Sequence, residues 1–470
     1  MNEEELHQAI AAHRAGEFSA AERHYRAFLK LQPGHGGAHH NLGLIIAQRG
    51  APDEALAHFA LACQAEPSRA QNWFSYAKAM LASGHGAEAL PLLERARALG
   101  QSGAAFEAVL HKAKTEGASE EPATDLALSR QVVADDPENA ENHLQLGNAL
   151  VRAGQIGDAI AAFRCAIALN PGHAEAHFRL GSLLSENGEI AEGFAHYMRR
   201  AWLVLGKSVV PPAAELPHKV KHDGEQRDYL SRLDPAAAAA AAQNILWLAD
   251  GERVSGPAIM PGHAGEALLE RWRNSCPQVV VIDNFLRPAA LGKLRRYCAG
   301  SIIWRRVYNA GYIGATPEDG LACPLMAQIA EEILETFAGI IGHHRFRYIG
   351  AFKYDSTLST GTNIHADNSA VNVNLYIAPD EANLDPDSGG LDIWDVVVTS
   401  EAQMRQLNAD DTTARAFLKS VGAKLTRIPH RTNRAVIFKS DLIHKTSDCH
   451  FAEGYLNKRI NISLLFGDRA

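Results

Sequence analysis

The chain has 470 residues, of which 46 % are hydrophobic and 21 % are charged, and its formal net charge is −8. This length and composition predict two or more globular domains with a sizeable core. The acidic balance argues against a nucleic-acid partner, and no window approaches the roughly eighteen continuous apolar residues of a membrane span.

The beginning of the chain, MNEEELHQA, is acidic and has no apolar stretch, so it does not have the pattern of a secretory signal. None of the six cysteines forms a CxxC pair, which argues against a zinc ribbon and a disulfide framework. Both features predict a cytoplasmic protein.

A 34-residue period runs through the first two hundred residues. Gly16, Gly50 and Gly84 are spaced 34 apart, and so are Gly154 and Gly188. In the unit ENHLQLGNALVRAGQIGDAIAAFRCAIALNPGHA, two segments with helical apolar spacing flank a glycine turn. Such a period is typical of a helical-repeat protein.

Small residues within the unit, such as Gly147 and Ala159, would let two antiparallel helices approach closely. The pattern resembles the tetratricopeptide repeat over roughly residues 2–205, in six units. The fourth unit, near 106–139, is degenerate. The resemblance implies a solenoid whose groove binds a protein or peptide. The alternative is a scaffolding or dimerisation element, and hence a homo-oligomer.

A linker follows the repeats. The stretch GKSVVPPAAELPHK contains three prolines, which are typical of a linker. Residues 222–252 are predicted to be helical, including the run Ala236–Ala242, because alanine is a good helix former. We expect this helix to pack between domains.

The pattern changes near Gln278. QVVVIDNFL predicts a buried strand, and RPAALGKLRRYC and PLMAQIAEEILETFAGII predict amphipathic helices. Six later segments predict strands: FRYIGAFKY, VNVNLYI, LDIWDVVV, KLTRI, RAVIFK and RINISLLF. This order favours an antiparallel sandwich with flanking helices. Residues 400–422 interrupt the strands with a helical pattern that is either a pocket lid or, as we favour slightly, a surface insertion.

A candidate metal site begins at His365 and Asp367. Two residues apart on a strand, their side chains point to the same face. The best third ligand from a distant strand is His444, which follows the apolar strand RAVIFK. Two histidines and a carboxylate leave three positions open on an octahedral ion, which suits non-haem iron(II) acting with dioxygen, whereas zinc prefers four ligands. The alternative is a loop histidine and a turn-capping aspartate.

A candidate anion site lies in the last strand, where Arg459, Asn461 and Ser463 share one face. An arginine on such an inward face is costly unless an anion meets it, and its fork matches a carboxylate. The alternative is a pair with a carboxylate of the protein.

The ordered set of these features resembles the 2-oxoglutarate- and iron(II)-dependent oxygenases of the prolyl-hydroxylase type over roughly residues 278–470. Beyond the metal and anion residues, the resemblance rests on Tyr354, eleven residues before His365, and on the Gly389–Gly390 turn. It implies a double-stranded β-helix, or jelly roll, with iron held by His365, Asp367 and His444.

The same resemblance implies that Arg459 binds the distal carboxylate of 2-oxoglutarate. Tyr354, Ser463 and Asn374 are expected to contact the same cosubstrate. The cofactors expected are iron(II), 2-oxoglutarate and dioxygen, with ascorbate as a stimulant.

The expected fold class is a multidomain α + β protein. It comprises a tetratricopeptide-repeat α-solenoid at 1–205, a linker with packing helices at 206–277, and a jelly-roll oxygenase domain with flanking helices at 278–470. The expected function is a dioxygenase that hydroxylates a protein or peptide side chain captured by the repeats. Two alternatives stay open: an oxygenase of a small or carrier-bound molecule whose repeats serve assembly, and a repeat adaptor with an inactive oxygenase fold.

Overall fold

The computed structural model describes residues 2–14, 17–49, 52–66, 69–83, 86–100, 104–116, 122–207, 216–263, 265–308, 310–355, 362–409 and 411–468. The chain forms two compact units, Met1–Leu128 and Ser129–Ala470. Within the described residues, no helix combines the length and apolar character needed to cross a membrane.

Antiparallel helix pairs make up the first unit. Apolar side chains on facing helices bury each other, as in α2, where Tyr25 and Phe28 lie in the core. The helices are α1 Asn2–Arg14, α2 Phe18–Leu31, α3 Gly36–Gln48, α4 Pro52–Ala65, α5 Ala70–Ala82, α6 Gly86–Ala98 and α7 Ala104–Glu116, and α8 Pro122–Asp135 crosses the division between the units.

Two further helix pairs open the second unit: α9 Ala140–Arg152 with α10 Ile156–Leu169, and α11 Ala174–Glu186 with α12 Ile190–Leu205. The predicted close approach of α9 and α10 is confirmed. A Cβ atom on Gly147 would lie only 2.4 Å from the ring of Phe163, so the glycine lets the phenyl ring reach the α9 backbone.

The predicted helix over 222–252 is wrong beyond Ala242. The region forms α13 Pro217–Ser231 and α14 Pro235–Ala242, and the side chain of Asp234 accepts a hydrogen bond from the first turn of α14. After α14 the chain turns at Asn244, which has a φ of 52°. The backbone N–H of Leu246 then donates to the carbonyl of Leu205 at 2.7 Å, so tertiary contacts override the local helix preference.

The C-terminal region is rich in antiparallel sheet. A seven-stranded sheet has the order β1-β8-β5-β10-β4-β3-β2, and a three-stranded sheet has the order β7-β6-β9. The strands are β1 Val279–Ile282, β2 Arg306–Tyr308, β3 Tyr312–Ala315, β4 Phe346–Tyr354, β5 Val371–Tyr376, β6 Leu391–Val397, β7 Leu425–Ile428, β8 Arg434–Lys439, β9 Leu442–Thr446 and β10 Arg459–Phe466. All seven predicted strands are present. The short strands β2, β3 and β9 were not predicted.

Alternating side chains place the larger sheet between two apolar layers. On β8, Val436 and Phe438 face the smaller sheet, and Ala435 and Ile437 face the helices. Those helices are α15 Glu266–Asn274, α16 Pro288–Gly300, α17 Pro324–Thr336 and α18 Ala338–Ile341. The remaining two helices, α19 Glu401–Ala409 and α20 Asp411–Ser420, lie between β6 and β7 in sequence.

The last repeat shares this core. Phe194 of α12 packs edge-on against Phe346 of β4, with ring centroids 5.6 Å apart, and Ile190 and Tyr197 belong to the same buried cluster. The compact units therefore divide inside the repeat region. The limits at 205 and 278 follow the change from helical to strand pattern, and as domain limits they stay a prediction.

Candidate metal centre and its pocket

Backbone pairing brings two distant histidines side by side. The N–H of His365 donates to the carbonyl of His444 at 2.9 Å, and the N–H of His444 donates back at 2.8 Å. The segment around His365 is therefore joined to β9 by one isolated bridge. The sequence predicted that His444 would follow a strand, but it lies within β9, whose interrupted apolar pattern is too short to stand out.

The predicted ligands His365, Asp367 and His444 form one cluster. Nε2 of His365 lies 3.8 Å from Oδ1 of Asp367, and Nε2 of His444 lies 3.4 Å from Oδ2. One potential ligand atom from each residue lies within 4.8 Å of the others. A divalent ion with bonds of about 2.1 Å places adjacent ligands about 3 Å apart, so a small closure suffices to bind one ion.

Hydrogen bonds fix the orientation of both imidazoles. Nδ1 of His365 donates to the carbonyl of Asn363 at 2.7 Å, and Nδ1 of His444 donates to the carbonyl of Leu442 at 2.9 Å. Since a carbonyl only accepts, Nδ1 carries the proton in each ring. In the neutral ring, Nε2 is then left with a lone pair, as a metal ligand requires.

The protonation states also suit a metal. Burial opposes ionisation of Asp367, but the hydrogen bond and the charge that His444 provides when protonated, together with the charge of protonated His365, lower its pKa to about 2. Burial and the neighbouring His444 lower the pKa of His365, which favours its neutral form. Asn372 donates to Oδ2 of Asp367 at 2.6 Å and so holds the carboxylate. The donor set thus fits a divalent metal.

A cavity of about 430 Å³ opens at the cluster. Stacked tyrosines form one wall, with ring centroids 4.5 Å apart for Tyr308 and Tyr312, and 4.9 Å apart for Tyr312 and Tyr354. Among the described lining residues, the histidines and carboxylate of the triad are the only acidic or basic side chains, and the rest are uncharged. Sequence analysis missed Tyr308 and Tyr312 because β2 and β3 are only three and four residues long.

A row of polar side chains on the neighbouring strands β10 and β5 also lines the cavity. The amide of Asn461 donates to Oγ of Ser463 at 3.1 Å, and that hydroxyl donates to Oδ1 of Asn374 at 2.6 Å. Tyr354, Ser463 and Asn374, the predicted cosubstrate contacts, all line the cavity. Tyr354 also shares a hydrogen bond with the hydroxyl of Thr446.

Arg459 lies outside the cavity lining and is 1 % exposed. Its guanidinium donates to the carbonyls of Gly389 and Gly390 and, at 2.8 Å, to Oδ1 of Asn461. Its charge also lies 4.6 Å from the ring centroid of Tyr354. No carboxylate among the described residues hydrogen-bonds to it, so the alternative of an internal ion pair finds no support there. The predicted turn glycines are its anchors.

The repeat region matches a known family model. Residues 6–70 and 144–202 match the model for the tetratricopeptide repeat. These stretches are therefore tetratricopeptide repeats, a repeat type that implies protein binding. No curated protein matches the chain.

Several solved repeat structures are similar to parts of the chain. YrrB, described as a tetratricopeptide-repeat protein with an unusual peptide-binding site, is 17 % identical, with 38 % of this chain and 92 % of that chain covered and a TM-score of 0.20. MamA from Desulfovibrio magneticus RS-1 is 17 % identical over 43 % of this chain and 94 % of that chain, with a TM-score of 0.19. The TPR2B domain of yeast Sti1 in complex with pHsp70 is 21 % identical over 24 % of this chain and 97 % of that chain, with a TM-score of 0.23. Such low scores carry no argument, so the repeat assignment rests on the family model.

Proposed function

We propose that this protein is a 2-oxoglutarate- and iron(II)-dependent dioxygenase that hydroxylates a side chain of a protein or peptide. The observation that carries the proposal is the cluster of His365, Asp367 and His444 at the cavity, with both Nδ1 atoms tied to backbone carbonyls. Two neutral imidazoles and one carboxylate form the donor set that suits iron(II) with open positions for small ligands.

The packing of the two sheets supports a jelly roll. Strands β8 and β5 of the larger sheet, with β1 at its edge, bury side chains against β7, β6 and β9. The His365 segment lies beside the smaller sheet through one isolated bridge to His444. Two antiparallel sheets packed face to face agree with the double-sheet architecture of a jelly roll.

The surroundings of Arg459 fit an anionic cosubstrate. A buried guanidinium without a carboxylate partner is costly, and an incoming carboxylate would offset that cost. Asn461 connects Arg459 to the cavity, where Ser463 and Asn374 offer further polar groups. The ring centroid of Tyr376 lies 5.3 Å from the guanidinium, and its buried hydroxyl has no hydrogen-bond partner among the described residues. We infer that 2-oxoglutarate lies between the metal centre and this polar row.

The chain's own contribution is positioning and exclusion of water. Bound iron would supply the activation of dioxygen that C–H hydroxylation needs. The tyrosine wall would shield the reacting group from water, and the hydrogen-bonded histidines would hold their orientation during turnover. Because the remaining described lining residues are uncharged, the cavity favours an uncharged side chain, and the repeats would recruit the polypeptide that carries it.

The test uses the full-length protein. Under anaerobic conditions, iron(II) followed by 2-oxoglutarate is expected to give a visible metal-to-ligand charge-transfer band, and with oxygen and ascorbate the protein is expected to form succinate. The His365→Ala/Asp367→Ala variant should show neither signal. Absence of both signals in the wild type would refute the oxygenase and leave a protein-binding adaptor as the better function. Mass spectrometry of the polypeptides bound by the active protein would then identify a gain of one oxygen.

A further inference from the structure

The helical insertion lies behind the metal-binding segment. None of its described residues lines the cavity that contains His365 and Asp367. Instead, Leu407 of α19 and Leu418 of α20 belong to one buried cluster with Ile364 and Ala366. Alternate residues of the segment therefore face the cavity and the insertion, and the insertion does not act as a lid over the cavity.

Insertion side chains also hydrogen-bond the free edge of this segment. His365 uses its own N–H and C=O to pair with β9, so the groups of its neighbours point the other way. The N–H of Ile364 donates to Oδ1 of Asp411 at 2.7 Å. The N–H of Ala366 donates to Oδ1 of Asn408 at 3.0 Å, and the amide of Asn408 donates to the carbonyl of Ala366, also at 3.0 Å.

The side chain of Asn408 thus makes the two hydrogen bonds that a peptide group of a neighbouring strand would make. Its carboxamide donates and accepts as a backbone unit would, and it satisfies both polar groups of the residue between the two ligands. We propose that Asn408 and Asp411 are positioning residues that orient His365 and Asp367 toward the metal, and this rests on the metal centre of the proposed function. On the opposite edge, the pairing of His365 with β9 consists of one isolated bridge, so the orientation of the segment depends on both edges.

The inference is tested by metal affinity rather than turnover. Cobalt(II) or manganese(II) is titrated into the metal-free full-length protein against a chromophoric chelator. Asn408→Ala and Asp411→Ala are expected to weaken binding 10- to 100-fold, the usual effect of losing a partner that orients a metal ligand. Asp411→Asn keeps an acceptor oxygen and is expected to stay close to wild type.

A matched control lies in the same insertion. The side chain of Gln403 accepts hydrogen bonds from Thr399 and does not bond to the ligand segment. Gln403→Ala is therefore expected to leave metal affinity unchanged. The change in its thermal unfolding midpoint shows how much a general destabilisation of the insertion alone affects the protein. Hydrogen exchange of the wild type gives a second readout, in which the amides of Ile364 and Ala366 are expected to be protected.

The outcomes separate the two proposals. If the wild type binds neither ion, the metal centre and this inference both fall. If the wild type binds metal and Asn408→Ala and Asp411→Ala bind equally well, only the positioning role is refuted. Fast exchange at Ile364 and Ala366 in the wild type would also refute it, whether or not the variants fold.

Discussion

Oδ2 of Asp367 lies 3.4 Å from Nε2 of His444, although Asp367 precedes β5 and His444 lies far along the chain in β9. Because the carboxylate supplies the only negative charge of the triad, Asp367→Ala is expected to lower divalent-metal affinity at least 100-fold. Metal content after dialysis, measured by mass spectrometry, checks this. The control is the exposed His450, whose substitution by alanine should leave the metal content unchanged. Equal metal content in Asp367→Ala and wild type would remove Asp367 from the site.

The side-chain amide of Asn372 donates a hydrogen bond of 2.6 Å to Oδ2 of the same carboxylate. Removal of this donor frees Asp367 to rotate and weakens its preference for the ionised form. Asn372→Ala is therefore expected to lower metal affinity about 10- to 100-fold. The loss should be smaller than for Asp367→Ala in the same chelator competition. If the affinity of Asn372→Ala equalled that of the wild type, the contact of Asp367 with His444 of β9 would suffice to orient the carboxylate.

The features that the sequence predicted correctly are those encoded by a regular spacing or by a strong apolar pattern. The 34-residue period predicted six helix pairs, and the order of His365, Asp367 and His444 predicted three side chains that the structure brings together. These predictions succeed because a repeat period and the alternation of a strand follow directly from backbone geometry.

The missed features depend on tertiary contacts. Asn408 and Asp411 are ordinary polar residues on helices, and nothing in their spacing indicates that they bond to the edge of another strand. The helix prediction beyond Ala242 failed because alanine content reports only local preference. Arg459 was predicted on an inward face, but its anchors depend on where a distant loop lies.

The guanidinium of Arg459 is expected to govern cosubstrate binding. Lysine keeps the positive charge but cannot reproduce the fork to the carbonyls of Gly389 and Gly390. Arg459→Lys is therefore expected to raise the KM for 2-oxoglutarate at least tenfold, with a smaller change in kcat. It should also lower the free energy of unfolding by about 1–3 kcal/mol, since two buried carbonyls lose a donor. Arg431→Lys, at a largely exposed ion pair with Asp283, is the control. An unchanged KM in Arg459→Lys would refute the predicted role of Arg459.

Close helix packing in the repeats makes Gly147 intolerant of a side chain. A Cβ atom there would lie 2.4 Å from the ring of Phe163, whereas a Cβ atom on Gly157 of the next helix meets nothing within 4 Å. Gly147→Ala is expected to lower the free energy of unfolding by about 1–3 kcal/mol through overpacking. Gly157→Ala should be neutral or stabilise by up to about 1 kcal/mol. Denaturant unfolding compares the two, and equal effects would contradict the packing argument.

The ammonium of Lys353 is buried on β4, 3.6 Å from the ring centroid of Tyr455 and 3.4 Å from Nε2 of His222. Burial lowers its pKa from 10.5 to about 7, with the charges of Cys298 and Lys458 acting in opposite directions. Between about pH 7 and pH 10.5, Lys353 carries a proton in the unfolded chain but not in the folded chain, so this residue makes the free energy of unfolding rise with pH. Below about pH 7, Lys353 is protonated in both the folded and the unfolded chain, so the full destabilisation from burying its charge is present.

Lys353→Met removes this titration. The free energy of unfolding of the wild type minus that of Lys353→Met is therefore expected to increase by about 2–3 kcal/mol from pH 7 to pH 9.5, since one pKa unit corresponds to about 1.4 kcal/mol. Denaturant titrations at several pH values measure the difference, and comparison within each pH cancels the groups that both chains share. Lys439→Met, at a more exposed lysine paired with Asp441, controls for the loss of one ammonium. A difference that stays flat over this range would mean that Lys353 keeps its proton in the folded protein, with Tyr455 and the nearby acidic groups offsetting the effect of burial.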